Sequence, residues 1–218
     1  MRSHFFPRWG VSSLLTVVLA LSYVAQQVVI VHMGKPYDAY LALSGYGMKS
    51  WHLWELFTYQ LFHLGWIHLA LNLTGLWLIA SPLEADIGAK RFLKLYLGAV
   101  LAGGILQGAT ALAGFLLPES QETVAAFLRD RFGGPVYGSS VGLCGVLAAL
   151  CFTNPRKHLL RTPITTGFVL WLVFAGAVVC VIVPTNPAVA QFAHLGGLIF
   201  GVFFGRSMRA HEVRSELI

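Results

Sequence analysis

His63-Leu64-Gly65-Trp66-Ile67-His68-Leu69-Ala70-Leu71-Asn72 opens an apolar run that continues past Trp77 and Ile79. The run reads as a membrane helix over about 64–81, yet it carries imidazoles and an amide. Polar side chains are costly in hydrocarbon, so they face a bundle interior or a wet cavity and serve chemistry there. Two further polar intrusions open apolar runs downstream: Tyr137-Gly138-Ser139-Ser140 and Ala193-His194-Leu195-Gly196-Gly197. A hydroxyl, an imidazole and an imidazole–amide pair on three such runs point to a serine hydrolase with its site inside the membrane.

Composition agrees with a bilayer as solvent. Charged residues are 11% of the 218, and mean hydropathy is +0.70, against about 25% charged in soluble domains. Six apolar runs approach the roughly 20 residues of a spanning helix: about 12–31, 64–81, 92–116, 138–154, 164–183 and 190–206. The fourth and sixth are short and glycine-rich, which suits helices packed within a bundle. The expected fold is all-α: a polytopic membrane protein with six transmembrane helices. It is read as one membrane domain over 1–218, core about 12–206, without repeat or linker.

The net charge of +6 does not indicate nucleic acid, because its distribution follows topology. With both termini on one side, Arg2, Arg8, Lys90, Arg91, Lys94, Arg156, Lys157, Arg161, Arg206, Arg209 and Arg214 share that side. Lys35, Lys49, Arg129 and Arg131 fall opposite. This positive-inside bias makes both termini cytoplasmic, and the basic side suits anionic lipid. The first run is read as a retained span, not a cleaved leader. Cys144, Cys151 and Cys180 lie within runs and form no C-x-x-C, so they read as small buried apolar groups.

The connections carry signals of their own. Residues 32–63 hold Tyr37, Tyr40, Tyr46, Trp51, Trp54, Phe57, Tyr59 and Phe62. This density fits an interfacial aromatic belt or a structured, half-buried loop shaping a lateral entrance; both readings stay open. The connection at about 117–136, with Glu119, Glu122, Arg129, Asp130 and Arg131, suits a short surface helix. Asn154-Pro155-Arg156-Lys157-His158 ends the fourth run through its proline and adds inside charge.

The polar residues fall into a pattern with chemical meaning. His68 and Asn72, four apart, share a helix face, with His63 at the helix mouth. Imidazole and amide N–H groups converging on one point can hold an oxyanion. Ser140 begins a run after a glycine-rich stretch, where free backbone N–H groups favour developing negative charge; Ser139 could serve there as an N-cap. His194 starts the last run beside Gly197-x-x-x-Gly201, a close-packing pattern that would bring a base to a serine on another helix. No acid lies within the last three runs, and Glu84 and Asp86 sit at the opposite end, so a Ser–His dyad is expected. No H-E-x-x-H occurs, and neither metal nor cofactor is expected.

Over about residues 12–206 the chain resembles the rhomboid intramembrane serine proteases. The resemblance rests on Trp54, His63-x4-His68-x3-Asn72, Glu84, Gly138-Ser139-Ser140 and Ala193-His194-x2-Gly197-x3-Gly201, in that order. It implies a six-helix bundle whose site opens to the non-cytoplasmic side. Ser140 would be the nucleophile and His194 the general base. His68, Asn72 and the Ser140 backbone N–H would form the oxyanion hole, supported by His63, Gly138, Gly197 and Gly201. Substrates would be single-span membrane proteins, cut within or near the transmembrane segment, after small residues, where the helix unwinds. Membrane lipids and transmembrane substrates are the implied partners.

Three positions depart from the family pattern. Val141 stands for the last glycine of Gly-x-Ser-Gly, where it is expected to crowd the backbone beside the oxyanion hole. Cys144 stands for an aromatic that packs on the catalytic histidine, and Trp54-Glu55 for Trp-Arg. Together they point to a slow or unusually specific enzyme, and Val141 and Cys144 favour, as the alternative, a catalytically inactive relative that binds transmembrane segments. A six-span channel or transporter would need a polar path across the whole bilayer, whereas these polar groups cluster at one end. The compact architecture suits a prokaryotic plasma membrane. Protease protection of tagged termini in sealed vesicles is expected to place both on the cytoplasmic side; an external terminus contradicts the topology.

Overall fold

The computed structural model describes residues 10–33, 38–153, 165–182 and 190–216. Among them the chain is helical throughout, with no strand. The helices are α1 (Val11–Met33), α2 (Asp38–Leu41), α3 (Gly45–Lys49), α4 (Glu55–Thr58), α5 (Trp66–Gly75), α6 (Ser81–Ile87), α7 (Ala89–Leu116), α8 (Glu122–Phe132), α9 (Ser140–Thr153), α10 (Thr166–Ile182) and α11 (Gln191–Glu216). The segment expected at Asn154–His158 lies outside the described residues, as do Arg2, Arg8, Lys35, Tyr37 and Arg161.

Among the described residues three helical stretches are long and apolar enough to cross a bilayer: Val11–Ile30, Trp66–Ile87 and Ala89–Leu116. They match the first three expected spans, and the second runs six residues further than the expected 64–81. The described part of helix α9 is apolar and has 14 residues. Helix α1 turns Leu14, Leu21, Val24 and Val28 outward, as a helix in lipid does.

The second span is bent by its sequence. Gly75 passes into a π turn at Leu76–Ala80, and the Ser81 N–H bonds the Leu76 carbonyl. Pro82 follows and offers no N–H, so a regular ladder cannot continue and one wide turn absorbs the slip. Beyond the turn, α6 presents Glu84 to the start of α1. Its carboxylate accepts from Val11 N at 2.6 Å, Ser12 N at 2.8 Å and Ser12 Oγ at 2.6 Å. A carboxylate on the free N–H groups of a helix start satisfies them and meets the positive dipole end. Glu84 therefore fastens α1 to the second span, far from His194.

The interior is a three-helix sandwich of α7, α9 and α11. Gly201 lies so close to α9 that a Cβ there would overlap the Gly145 carbonyl and stand 2.8 Å from Gly145 Cα. One turn earlier, a Cβ on Gly197 would stand 2.5 Å from the Val141 carbonyl oxygen. Helix α11 also meets α7, where a Cβ on Gly196 would stand 2.7 Å from Gly103 Cα. Small residues in register permit this backbone approach.

The described part of the first connection packs some of its aromatics inward and leaves others exposed. Tyr59 and Phe62 are buried, whereas Tyr40, Tyr46, Trp51, Trp54 and Phe57 are exposed. Tyr59 donates to the Val100 carbonyl of α7 at 2.8 Å. Gln26 of α1 pairs both ways with the His63 peptide, donating to its carbonyl at 3.0 Å and accepting from its N–H at 3.1 Å. Leu43 forms a two-bond bridge with Val136, at 3.3 and 2.9 Å, and Gly45 N bonds Gly133 O at 3.1 Å.

The expected surface helix at 117–136 is α8. Arg129 pairs with Glu122 and donates to the Gly114 carbonyl at the end of α7. Phe132 meets Phe192 of α11 edge-on at 5.0 Å. Gly201→Val is expected to force α9 from α11 and lower stability by about 1–3 kcal/mol; thermal unfolding in detergent measures this.

Candidate active site

Helices α5, α9 and α11 begin, and α7 ends, at the same end of the bundle, and there the singled-out polar residues gather. The extended segment held by Leu43 turns at Gly138, whose N–H bonds the Tyr59 carbonyl at 3.1 Å. Gly138 has φ +115°, a conformation side chains resist. A Cβ there would stand 2.7 Å from His68 Cε1, 2.8 Å from His68 Nε2 and 3.7 Å from Ser140 Oγ. The turn therefore needs glycine twice over, for its dihedral and for the imidazole lying against it.

The turn delivers Ser140 as the first residue of α9. Its Oγ lies 2.7 Å from Nε2 of His194, 54 residues later. The neighbouring Ser139 is fully buried, and it is the Ser140 hydroxyl that meets His194. Phe192, against Phe132, steadies the first turn of α11 beside His194. Among the described residues no carboxylate pairs with His194, and no group of three His, Cys, Asp or Glu residues is arranged to hold a metal.

His68 and Asn72 project from α5. Asn72 is buried and its Nδ2 donates to the His68 carbonyl at 2.9 Å, which leaves its second amide hydrogen to point elsewhere. The His63 ring meets the His68 ring edge-on at 5.0 Å. His63 is fully buried; burial, then the His68 ring, push it down to about 4, against an opposing contribution from the Leu61 backbone. It stays neutral and packs against the residue that faces Gly138.

The Val141 side chain is buried between α7 and α11, where Cβ atoms on Gly103 or Gly197 would crowd Val141 Cγ1. Its bulk is absorbed by two glycines on neighbouring helices. Cys144, one turn below Ser140, is buried with Leu198, one turn below His194, flanked by Leu170 and Val173 of α10. Cys151 is also a buried thiol, bonded to the Thr166 carbonyl. The side chain of Cys180 lies outside the description.

Sequence reading missed the supports around these residues. Gln26 stands in an apolar run, and the reasoning that flagged His68 applies equally to it. The acceptors of Tyr59 and the partners of Glu55 had no such signal, because they are backbone groups or lie in a loop.

Helical membrane proteins that join a serine to a histidine across two buried helices form a small class, and comparison with known proteins narrows it. A family model described as the Rhomboid domain matches residues 50–211. The chain is 31% identical over 152 residues to "Rhomboid protease GluP" of Bacillus subtilis (strain 168), covering 69% of this chain and 25% of the relative. It is 31% identical over 109 residues to "Rhomboid protease GlpG homolog" of Cronobacter sakazakii, 49% of this chain and 37% of the relative. It is 28% identical over 146 residues to "Rhomboid protein 1, mitochondrial" of Saccharomyces cerevisiae, 66% and 38%. The chain thus spans between a quarter and two fifths of these relatives' lengths. It belongs to the rhomboid family and is a membrane protein.

Gly138→Ala is expected to cost about 1–3 kcal/mol in backbone strain and to push His68 from Ser140. Unfolding midpoint and the rate of Ser140 acylation by a fluorophosphonate would both fall.

Proposed function

We propose that this chain is an intramembrane serine endopeptidase that cuts single-span membrane proteins within or near the transmembrane segment. The observation that carries the reading is the 2.7 Å contact of Ser140 Oγ with His194 Nε2, the reach a nucleophile and its base require. Family membership and relatives named as rhomboid proteases support it.

A substrate helix hides its peptide bonds in its own hydrogen bonds, so it must unwind before attack. Ser140 Oγ then adds to the carbonyl carbon while His194 Nε2 takes the hydroxyl proton. The resulting oxyanion is held by His68, the free hydrogen of the Asn72 amide and the Ser140 N–H, which lies at a helix start and is free of the helical ladder. His194 returns the proton to the leaving amine as the C–N bond breaks. Water, deprotonated by His194, then releases the acyl group from Ser140. Without a third member, His194 is oriented by its helix and its bond to Ser140.

The domain reading follows the same lines: one membrane domain over 1–218, core about 12–206, with six spans and both termini cytoplasmic. A prokaryotic plasma membrane is the proposed location, with lipids and transmembrane substrates as partners. Purified protein in liposomes is expected to cleave a model single-span substrate, while Ser140→Ala and His194→Ala are inert. His68→Ala is expected to lose on the order of 10²–10³ in rate. Wild type that neither cleaves nor reacts with a fluorophosphonate would mark a non-catalytic binder of transmembrane segments.

A further inference from the structure

The first connection contains a carboxylate that the proposed chemistry does not use. Glu55 is fully buried. Its Oε2 accepts from Ser44 N at 3.0 Å and Ser44 Oγ at 3.4 Å, and its Oε1 meets His52 Nδ1 at 3.0 Å. Ser44 Oγ accepts in turn from Gly47 N at 2.9 Å. Gly47 is packed so tightly that a Cβ there would overlap the carboxylate. His52 stacks on Trp54 at 4.6 Å, and the Tyr40 ring lies 6.1 Å away.

A buried carboxylate is costly to keep unless several groups hold it. Burial raises the Glu55 carboxyl above its ordinary value, and the Ser44 N–H and the His52 ring oppose that rise. The residues it holds are informative. Ser44 stands between Leu43 and Gly45, the two residues that bond Val136 and Gly133. Val136 is four residues before Ser140, and the turn between them is bonded to Tyr59, on the same short helical stretch as Glu55. One stretch, 55–61, thus touches the serine-bearing turn directly through Tyr59 and at one remove through Ser44.

We infer that Glu55 is a positioning residue, which through Ser44 and Leu43 fixes Val136 and so the turn that aims Ser140 at His194. The inference rests on the proteolytic reading above. A purely structural role would stabilise the bundle without changing the reactivity of Ser140. The packing of α9 on α11 does not involve Glu55, so the two effects separate.

The test measures fluorophosphonate acylation of the full chain in detergent, each variant well below its own unfolding midpoint. Wild type and Ser140→Ala test the proteolytic reading itself: wild type must label and Ser140→Ala must not. Glu55→Gln is then expected to slow labelling by about tenfold to 10²-fold, as small misplacements of reacting groups do. Glu55→Gln with His52→Ala is expected to be no slower than the slower single variant, since they act as one unit. Glu84→Gln, which loosens the far end, is expected to lower the midpoint while leaving the rate alone. A Glu55→Gln rate within about twofold of wild type overturns the inference.

Hydrogen exchange over residues 133–140 gives a readout independent of activity. Faster exchange in Glu55→Gln supports the inference even where wild type fails to label; unchanged exchange overturns it. If Glu55→Gln does not fold, Ser44→Ala removes the weaker of the two Ser44 bonds to Glu55 together with the cap on Gly47 N, with slower labelling and faster exchange expected and unchanged values overturning the inference.

Discussion

The backbone contact of α9 with α11 is the constraint on which the rest depends. Ser140 and His194 are 54 residues apart in sequence and 2.7 Å apart in space. That separation is reached only because the helices behind them touch at Gly145 and Gly201 and, one turn nearer the site, at Val141 and Gly197. A side chain larger than hydrogen at either α11 glycine would hold the helices apart by a substantial fraction of the serine–histidine distance. In lipid the tails are as apolar as the side chains, so this association relies on close packing more than on water exclusion.

Packing two helices fixes their axes but not the turn from which Ser140 projects. That turn belongs to an extended segment, and extended backbone inside a bundle has N–H and C=O groups that must be paired. The first connection supplies the partners. Leu43 pairs with Val136, Gly45 with Gly133, and Tyr59 with Gly138. The connection is secured in turn by Gln26 on α1 and Val100 on α7. The aromatic-rich stretch therefore does two jobs, with exposed rings outward and hydrogen-bonding backbone inward.

How much of this the sequence discloses depends on the kind of interaction. The polar residues that gather at one end of the bundle were legible, because an imidazole or amide in an apolar run violates the composition around it. Helix starts were legible to within a few residues from the same runs. Partners that are backbone groups were not, because a carbonyl leaves no mark in composition. Val141 shows a second limit. Compared with a family pattern it reads as an intrusion, yet its bulk is matched by Gly103 and Gly197 on two other helices, and single-position comparison cannot see a trade of volume among three. Glu84 was visible as a charge, but its partners at the start of α1 lie more than 70 residues earlier.

The start of α9 connects packing to chemistry. Helix α9 starts at Ser140, so the N–H groups of its first turn lie beside the serine. The segment ahead of it, from Gly133 to Gly138, is held by the first connection. The helix start, its glycine contacts and the ordered loop together hold Ser140 against His194 while backbone polar groups remain satisfied.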